Sequence, residues 1–220
     1  MRTHVVVVSL ASVLGLGAGA HAQNLLNNAG FESPLGFDFS NPSNWNGFFG
    51  GPAGTFLQAF NDTGAAPRSG AQALVTTIRG VQGTTQGFEA FTGHVQIVNG
   101  ITPGTEYQLE VWARTNPLIN NGAEMRVEWQ TAGGVEISRL NLPIQALLSP
   151  SYQRFSFSDI APAGASRAAI VFAIQSFVND GIIADTSVAW DDADFRVIPA
   201  PGAVSLAAVG LIAGLRRRRS

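Results

Sequence analysis

Polar and apolar side chains alternate along two stretches in the middle of the chain, which is the pattern of a half-buried β-strand. In residues 107–114 the odd positions carry Tyr, Leu, Val and Ala, whereas the even positions carry Gln, Glu, Trp and Arg. In residues 125–130 Met, Val and Trp alternate with Arg, Glu and Gln. Each stretch predicts a strand with one face toward a core and the other face outward.

Strand-like runs recur along most of the chain between turn signals such as Asn-Gly, Pro-Gly and Gly-Gly. Segment 24–33 predicts a short strand followed by a turn, and segment 37–54, rich in Gly, Asn, Pro and Phe, predicts a long loop. Outside the termini no long segment of the sequence has helical periodicity. The pattern predicts an all-β sandwich or barrel, with strands at residues 55–60, 71–79, 87–98, 106–115, 124–131, 135–140, 151–158, 167–178 and 186–197.

The last predicted strand places an acidic residue at an apolar face. By alternation Asp191 shares a face with Phe195, while Trp190 lies on the opposite face. If the first face is the core, Asp191 points inward, which is costly unless the carboxylate is paired, hydrogen-bonded or bound to a cation. Calcium takes carboxylate and carbonyl oxygens, and Glu32 supplies a second carboxylate far away in sequence. We therefore expect the first and last strands of a sandwich to meet near these two residues.

Two groups of residues, each containing a Trp, are candidates for ligand binding. Trp112 lies on the polar face of its strand, and Arg126 and Glu128 lie on the polar face of the next one. Sequential strands are usually neighbours, so the three side chains predict a shallow sugar site on an outer sheet face. The alternative is an ordinary solvated face with Trp112 covered by a loop. The second group is Trp45 with the aromatic pair at 48–49, either a binding platform or a cap on the open end of the core.

Charge and composition narrow the range of partners. The chain has 220 residues, 45% of them hydrophobic, and it contains no Cys, so disulfides and Cys-ligated metals are excluded. All 13 basic residues are Arg, and five of these lie at the extreme ends. Without the ends, eight Arg face 15 acidic residues, a net charge of −7. An acidic body argues against nucleic acid and anionic membranes as partners and is compatible with neutral ligands and divalent cations.

Residues for familiar catalytic sites are scarce. His94 is the one His outside the first 22 residues, and no Gly-x-Ser-x-Gly motif or phosphate-binding loop accompanies it. Glycoside hydrolysis needs only two carboxylates, so composition alone leaves that reaction open. The sequence favours a protein that is not an enzyme.

The two ends of the chain have the features of targeting segments. Residues 1–22 combine Arg2, an apolar run and the small-x-small site Ala20-His21-Ala22, which predicts a cleaved signal peptide. Residues 198–220 combine a Pro-rich break, an apolar run that predicts a helix, and four terminal Arg. This tail resembles the PEP-CTERM sorting signal of Gram-negative bacteria, with Ala200 where that motif has Glu. The resemblance implies processing by an exosortase-type enzyme and transient anchoring in the inner membrane.

Between the ends, residues 23–197 resemble the galactose-binding-like jelly rolls found in many carbohydrate-binding modules. The matching pieces are residues 24–32, Arg-Ser-Gly at 68–70, residues 102–107 and residues 190–193. The resemblance implies a two-sheet antiparallel β-sandwich of the jelly-roll type. It also implies a structural calcium on Glu32 and Asp191.

Together these features predict an exported, non-enzymatic protein that is sorted to the cell envelope and binds extracellular or cell-surface polysaccharide. One alternative is a structural or adhesive matrix protein of the same fold without glycan affinity. A carboxylate-based glycoside hydrolase is the other.

Export should leave a chain that is cut at both ends or still held by its tail. We expect mass spectrometry of protein from the envelope or the medium to show a mature start near Gln23, with Arg216–Arg219 absent from any protein that is not held in the membrane. An intact Arg cluster on fully soluble extracellular protein would contradict the sorting interpretation.

Overall fold

The computed structural model describes residues 22–33, 42–51, 56–62, 66–79, 90–115, 122–176 and 186–199. Residues 22–198 form one compact unit. The predicted signal peptide and tail lie outside the described residues, apart from Ala22, Ile198 and Pro199. No helix within the described ranges is long and apolar enough to cross a membrane.

The described residues form ten strands and one short 3-10 helix, Gln145–Leu147. The strands are β1 (Asn46–Gly50), β2 (Phe56–Asp62), β3 (Ala73–Arg79), β4 (Ala90–Asn99), β5 (Glu106–Thr115), β6 (Gly122–Gln130), β7 (Glu136–Pro143), β8 (Gln153–Ile160), β9 (Arg167–Ser176) and β10 (Thr186–Val197).

The strands pair antiparallel in two five-stranded sheets, in the orders β1-β4-β9-β6-β7 and β2-β3-β10-β5-β8. From β3 onward, successive strands alternate between the sheets, except for the hairpin of β6 and β7. This is the winding of an eight-stranded jelly roll, to which β1 and β2 add one strand per sheet. The predicted all-β antiparallel sandwich is confirmed.

All nine strands predicted downstream of residue 54 are present, with ends that differ by at most three residues. Two other predictions are wrong. The predicted loop at 37–54 contains β1, and segment 24–33 contains no strand. That segment still runs along β10, where Leu25 N–H donates to the Phe195 carbonyl at 2.7 Å. The Asn24 side chain replaces further ladder bonds, since it donates to the Ala193 carbonyl and accepts from the Phe195 N–H.

A β-bulge in β10 changes the predicted assignment of its faces. Asp191 lies opposite Trp112 of β5 and Asp194 lies opposite Glu110, so three steps on β10 match two steps on β5. Asp192 takes a left-handed φ of 47° there, as bulge residues often do. Strict alternation therefore fails, and Trp190 and Phe195 both point into the core. The prediction that Asp191 points inward is wrong: it shares the outer face with Trp112.

The core between the sheets contains a chain of aromatic contacts. Ring centroids lie 5.1 Å apart for Phe31 and Trp45, 5.5 Å for Trp45 and Phe172, and 5.4 Å for Phe172 and Trp190. Trp45 is 1% exposed, and its Nε1–H donates to the Asn28 carbonyl at 3.2 Å. The indole is therefore part of the core, which agrees with the interpretation of Trp45 as a cap on the core. It cannot serve as a binding platform.

Candidate functional site

The structure separates the residues of the predicted sheet-face site. Trp112 lies on β5, whereas Arg126 and Glu128 lie on β6 in the other sheet. Their outward faces point to opposite sides of the sandwich, so one ligand cannot contact all three. The assumed adjacency of β5 and β6 is wrong because successive strands of a jelly roll cross between sheets.

The ring of Trp112 is also covered on one side. The guanidinium carbon of Arg68 lies 3.9 Å from the ring centroid, a cation–π contact. Arg68 is held there by an ion pair with Asp192 and by its backbone N–H, which donates to Asp191 at 2.7 Å. This arrangement matches the alternative of a sheet face whose Trp is covered by a loop.

The other sheet has a different outer surface, which we call the β9 face. Its centre consists of small apolar residues of β9, namely Ala169, Val171 and Ala173, all at most 2% exposed. On one side lie Val95 and Ile97 of β4, opposite Val171 and Ala169. A strip of apolar side chains thus runs along the middle of an outer sheet face.

Two aromatic rings lie against the backbone at one margin of the β9 face. Phe48 of β1 is paired with Gly93, and Phe91 of β4 is paired with Gly50. A Cβ on Gly93 would lie 2.8 Å from Phe48 Cζ, and one on Gly50 would lie 2.5 Å from Phe91 Cζ. The missing side chains therefore let both rings approach the sheet. The rings are partly exposed, with centroids 6.3 Å apart, and each can offer its free side to a ligand.

Charged side chains line the opposite margin of the β9 face. On β6, Glu124, Arg126 and Glu128 lie opposite Ala173, Val171 and Ala169. Arg126 Nη1 donates to Glu124 Oε1 at 2.8 Å, and its Nε lies 2.9 Å from Glu128 Oε1. All three side chains are at most 16% exposed. The ion pairs hold the two carboxylates in fixed positions along the apolar strip.

The edge strand β7 extends this charged row. Arg139 lies opposite Glu128, and its Nε donates to Glu136 at 2.7 Å. The hydrogen bond from Arg139 holds the pKa of Glu136 below its usual range. This pair is well exposed, so its contribution to stability is small, but it places further charge beside the strip.

The β9 face therefore combines the two kinds of group that a sugar needs. Three inter-strand steps separate β1 from β6, about 14 Å at the usual strand spacing. That distance accommodates a sugar ring, with its C–H groups on the partly exposed side chains that cover the buried β9 residues, such as Val95 and Ile97. Its hydroxyls would then point toward the charged row. Arg126 and Glu128 were predicted from the sequence, but the β9 face was not. The sequence signal for this face is the uninterrupted apolar run at 168–174, which is typical of a strand that is apolar on both faces.

The predicted metal ligands Glu32 and Asp191 meet at one loop, residues 66–71. Asp191 Oδ2 accepts the backbone N–H groups of Arg68 and Ser69 at 2.7 and 3.1 Å. The Glu32 carboxylate accepts the N–H of Ala71 at 3.0 and 3.2 Å. Both carboxylates thus anchor the same loop, although they lie far apart in sequence.

Asp191 is fully buried on its outer face. Desolvation is the main reason why the pKa of Asp191 is raised to about 6, and the negative charge of Asp192 raises it further. Hydrogen bonds from the backbone N–H groups of Ser69, Asp192 and Arg68 act in the opposite direction and lower this pKa. The described part of the chain contains no group of three or more His, Cys, Asp or Glu side chains that could hold a metal. The carboxylates fit calcium in their chemistry, and other ligands would be backbone or water oxygens.

No protein-family model matches this chain, and no curated protein matches it. Solved structures do share its fold. One is the enzymatically active domain of tailspike protein 4 of bacteriophage CBA120, at 19% identity and a TM-score of 0.56, covering 80% of this chain and 21% of that one. Another is an arabinose-bound α-L-arabinofuranosidase, MgGH51, at 13% identity and a TM-score of 0.53, covering 82% of this chain and 27% of that one.

This chain thus spans about a fifth to a quarter of those two proteins, and at these identities the likeness concerns the fold alone. Structural neighbours also include carbohydrate-binding modules with β-sandwich folds. One of these is TmCBM61 in complex with β-1,4-galactotriose, at 14% identity and a TM-score of 0.46, with 80% of this chain and all of that chain aligned.

The loop at 66–71 provides a test of how Glu32 acts. Gly70 has a φ of +63°, and a Cβ there would overlap the Glu32 carboxylate. We expect Gly70→Ala to lower the free energy of unfolding by at least ~1 kcal/mol more than Gly104→Ala, because it also displaces a hydrogen-bonded carboxylate. Gly104 is the matched control, since its φ is +77° and a Cβ there would have nothing within 4 Å. Equal losses in urea unfolding would show that Glu32 does not hold the loop.

Proposed function

We propose that this chain is a non-catalytic glycan-binding module and that the β9 face is its binding site. One observation carries the proposal: an apolar strip on an outer sheet face lies between two rings packed on glycine and a Glu–Arg–Glu row. The proposed site contains Arg126 and Glu128, which were predicted from the sequence, and adds Phe48 and Phe91. Trp45 is not part of it because it is buried, and Trp112 is not part of it because it lies on the other sheet.

The β9 face suits a sugar for energetic reasons. Aromatic side chains supply rigid apolar area at low entropic cost, and the rings here already rest on the sheet. The carboxylates of Glu124 and Glu128 accept hydrogen bonds from hydroxyls, and Arg126 holds both in place. Such preorganisation reduces the entropy lost on binding.

The same geometry favours binding over hydrolysis. A glycosidase needs two carboxylates with different roles, one of which begins as an acid. Glu124 and Glu128 share one guanidinium, an arrangement that orients them alike instead of dividing them into an acid and a base. The structural matrix protein without glycan affinity remains the competing function, and binding measurements separate the two.

The decisive variant is Phe48→Ala. Loss of ring contact with a sugar should weaken binding about tenfold or more, given the usual gain from burying Phe. A glycan array selects the ligand, and isothermal titration compares the variants. Phe49→Ala is the matched control: Phe49 is the adjacent residue of β1, 58% exposed, and points away from the β9 face.

Two results would contradict this site. If Trp112→Ala abolishes binding while folded Phe48→Ala binds like wild type, the ligand lies on the other sheet. If no glycan binds the wild-type protein, the matrix function is the better description. Thermal melting of each variant shows that lost binding is not lost folding.

Export and envelope sorting belong to the same proposal. Their support is the order of segments in the sequence: a signal peptide at 1–22, the folded module, and a tail at 198–220 with a Pro-rich break, an apolar run and four Arg. In this proposal an exosortase-type enzyme processes the tail while it is held in the inner membrane.

We also propose that Glu32 and Asp191 take part in a structural calcium site near loop 66–71. At a calcium concentration a hundredfold above its dissociation constant, binding to the folded state adds about 2.7 kcal/mol. We therefore expect the melting temperature to rise by roughly 5–10 °C with calcium relative to chelator. Asp191→Asn should remove that difference, whereas Asp159→Asn, on the far strand β8, should keep it. An unchanged midpoint in wild type, with no metal by elemental analysis, would refute the site.

A further inference from the structure

Arg167 has no acidic partner among the described residues. Its Nε is buried without a hydrogen-bond partner among these residues. Its two terminal nitrogens have no hydrogen bond or ion pair with the described residues, and they are not enclosed. They are therefore free to donate to a ligand. By contrast, each of these arginines lies within 4.0 Å of a carboxylate: Arg68, Arg126, Arg139, Arg154 and Arg196.

A second polar group beside Arg167 is also unsatisfied. Gln130 of β6 lies directly opposite Arg167 of β9. Its side chain is nine-tenths buried, and its Oε1 has no hydrogen-bond partner among the described residues. Buried polar atoms are nearly always hydrogen-bonded in folded proteins. Because Gln130 Oε1 and Arg167 Nε are both enclosed, a ligand can reach this pair only at the terminal nitrogens of Arg167.

This pair lies at one end of the β9 face. Arg167 is two residues before Ala169 on the same face of β9, so its side chain follows the apolar strip. The turn after β6 closes that end, because a Cβ on Gly134 would lie 3.2 Å from Arg167 Nη1. A chain of sugars running along β9 would therefore reach the guanidinium at its end.

We propose that Arg167, beside the buried Gln130, forms a subsite for a carboxylate on the glycan, that is, for a uronosyl residue. The inference rests on the proposed function of the β9 face and specifies its ligand. The terminal nitrogens of the guanidinium bind the carboxylate by charge-assisted hydrogen bonds. The ligand thus supplies the carboxylate that Arg167 lacks among the described residues.

The charge around the site limits how many acidic groups the glycan carries. The row on β6 and β7 contains Glu124, Glu128 and Glu136 against Arg126 and Arg139, a net charge of −1. The body of the chain is acidic as well. A polyanion would be repelled along the strip. The ligand class is thus a mostly neutral glycan with isolated uronosyl groups.

A matched pair of ligands tests this subsite. The probes are neutral gluco- and galacto-oligosaccharides and the same compounds with one terminal C6 alcohol oxidised to a carboxylate. We expect the oxidised form to bind wild type roughly ten- to hundredfold more tightly than the neutral form, as charge-assisted hydrogen bonds provide. In Arg167→Gln the two forms should bind equally, with neutral affinity retained. Arg154→Gln, on a strand of the other sheet, should keep the preference.

The outcomes separate the inference from the function on which it rests. If neutral forms bind but wild type shows no preference for the oxidised form, the subsite is wrong and the β9 face stands. The subsite is also wrong if Arg167→Gln keeps the preference, or if it lowers the melting temperature and both affinities together, as a purely structural residue would. If neither form binds wild type, both proposals fail.

Discussion

The fold depends on the bulge in β10, where the chain adds one residue between Asp191 and Asp194. Without it, Trp190 and Phe195 could not both face the core, because side chains alternate strictly along a regular strand. With it, Trp190 packs on Phe172 with centroids 5.4 Å apart, and Phe195 stacks on Tyr107 at 5.3 Å. One strand thereby contributes to two groups of aromatic contacts in the same core.

The bulge also connects the ends of the module. The N–H of Ala193 donates to the Ala29 carbonyl at 2.9 Å, so the first described segment binds at the irregularity itself. Asp191 emerges on the outer face, where loop 66–71 covers it and Arg68 covers Trp112. The face of that sheet is consequently covered by protein at Asp191 and on one side of Trp112. This is the physical reason why binding is assigned to the other sheet.

The two outer faces thus differ in how they satisfy their side chains. Around Asp191 the carboxylates are bonded to backbone N–H groups and to Arg68. On the β9 face the charges are paired along one margin, but at its end Arg167 and Gln130 each have a buried atom without a hydrogen-bond partner among the described residues. The β9 face can therefore gain more from a ligand than the other face. The cost of desolvating its buried polar atoms is already part of the free energy of the folded state.

Nine of the ten strands and the all-β class could be predicted from the sequence, because alternation and turn signals are local properties. β5 (Glu106–Thr115) and β10 (Thr186–Val197) were predicted to the residue. Arg126 and Glu128 were also predicted correctly as outward-facing. Strand β1 was missed because its sequence, Asn-Gly-Phe-Phe-Gly, has the composition of a loop; its pairing with β4 overrides that preference.

Which residues share a surface depends on how the strands pair in the folded protein. Local pattern does not say whether a connection forms a hairpin or crosses the sandwich, so Trp112 was wrongly grouped with Arg126. It does not reveal a bulge, so Asp191 was assigned to the wrong face. Nor does it show that Gly93 admits the ring of Phe48, or that Arg167 has no acidic partner among the described residues, because both depend on strands that are distant in sequence. The alternation of polar and apolar side chains depends on neighbours along the chain, whereas the residues of a binding site are brought together by pairing between strands.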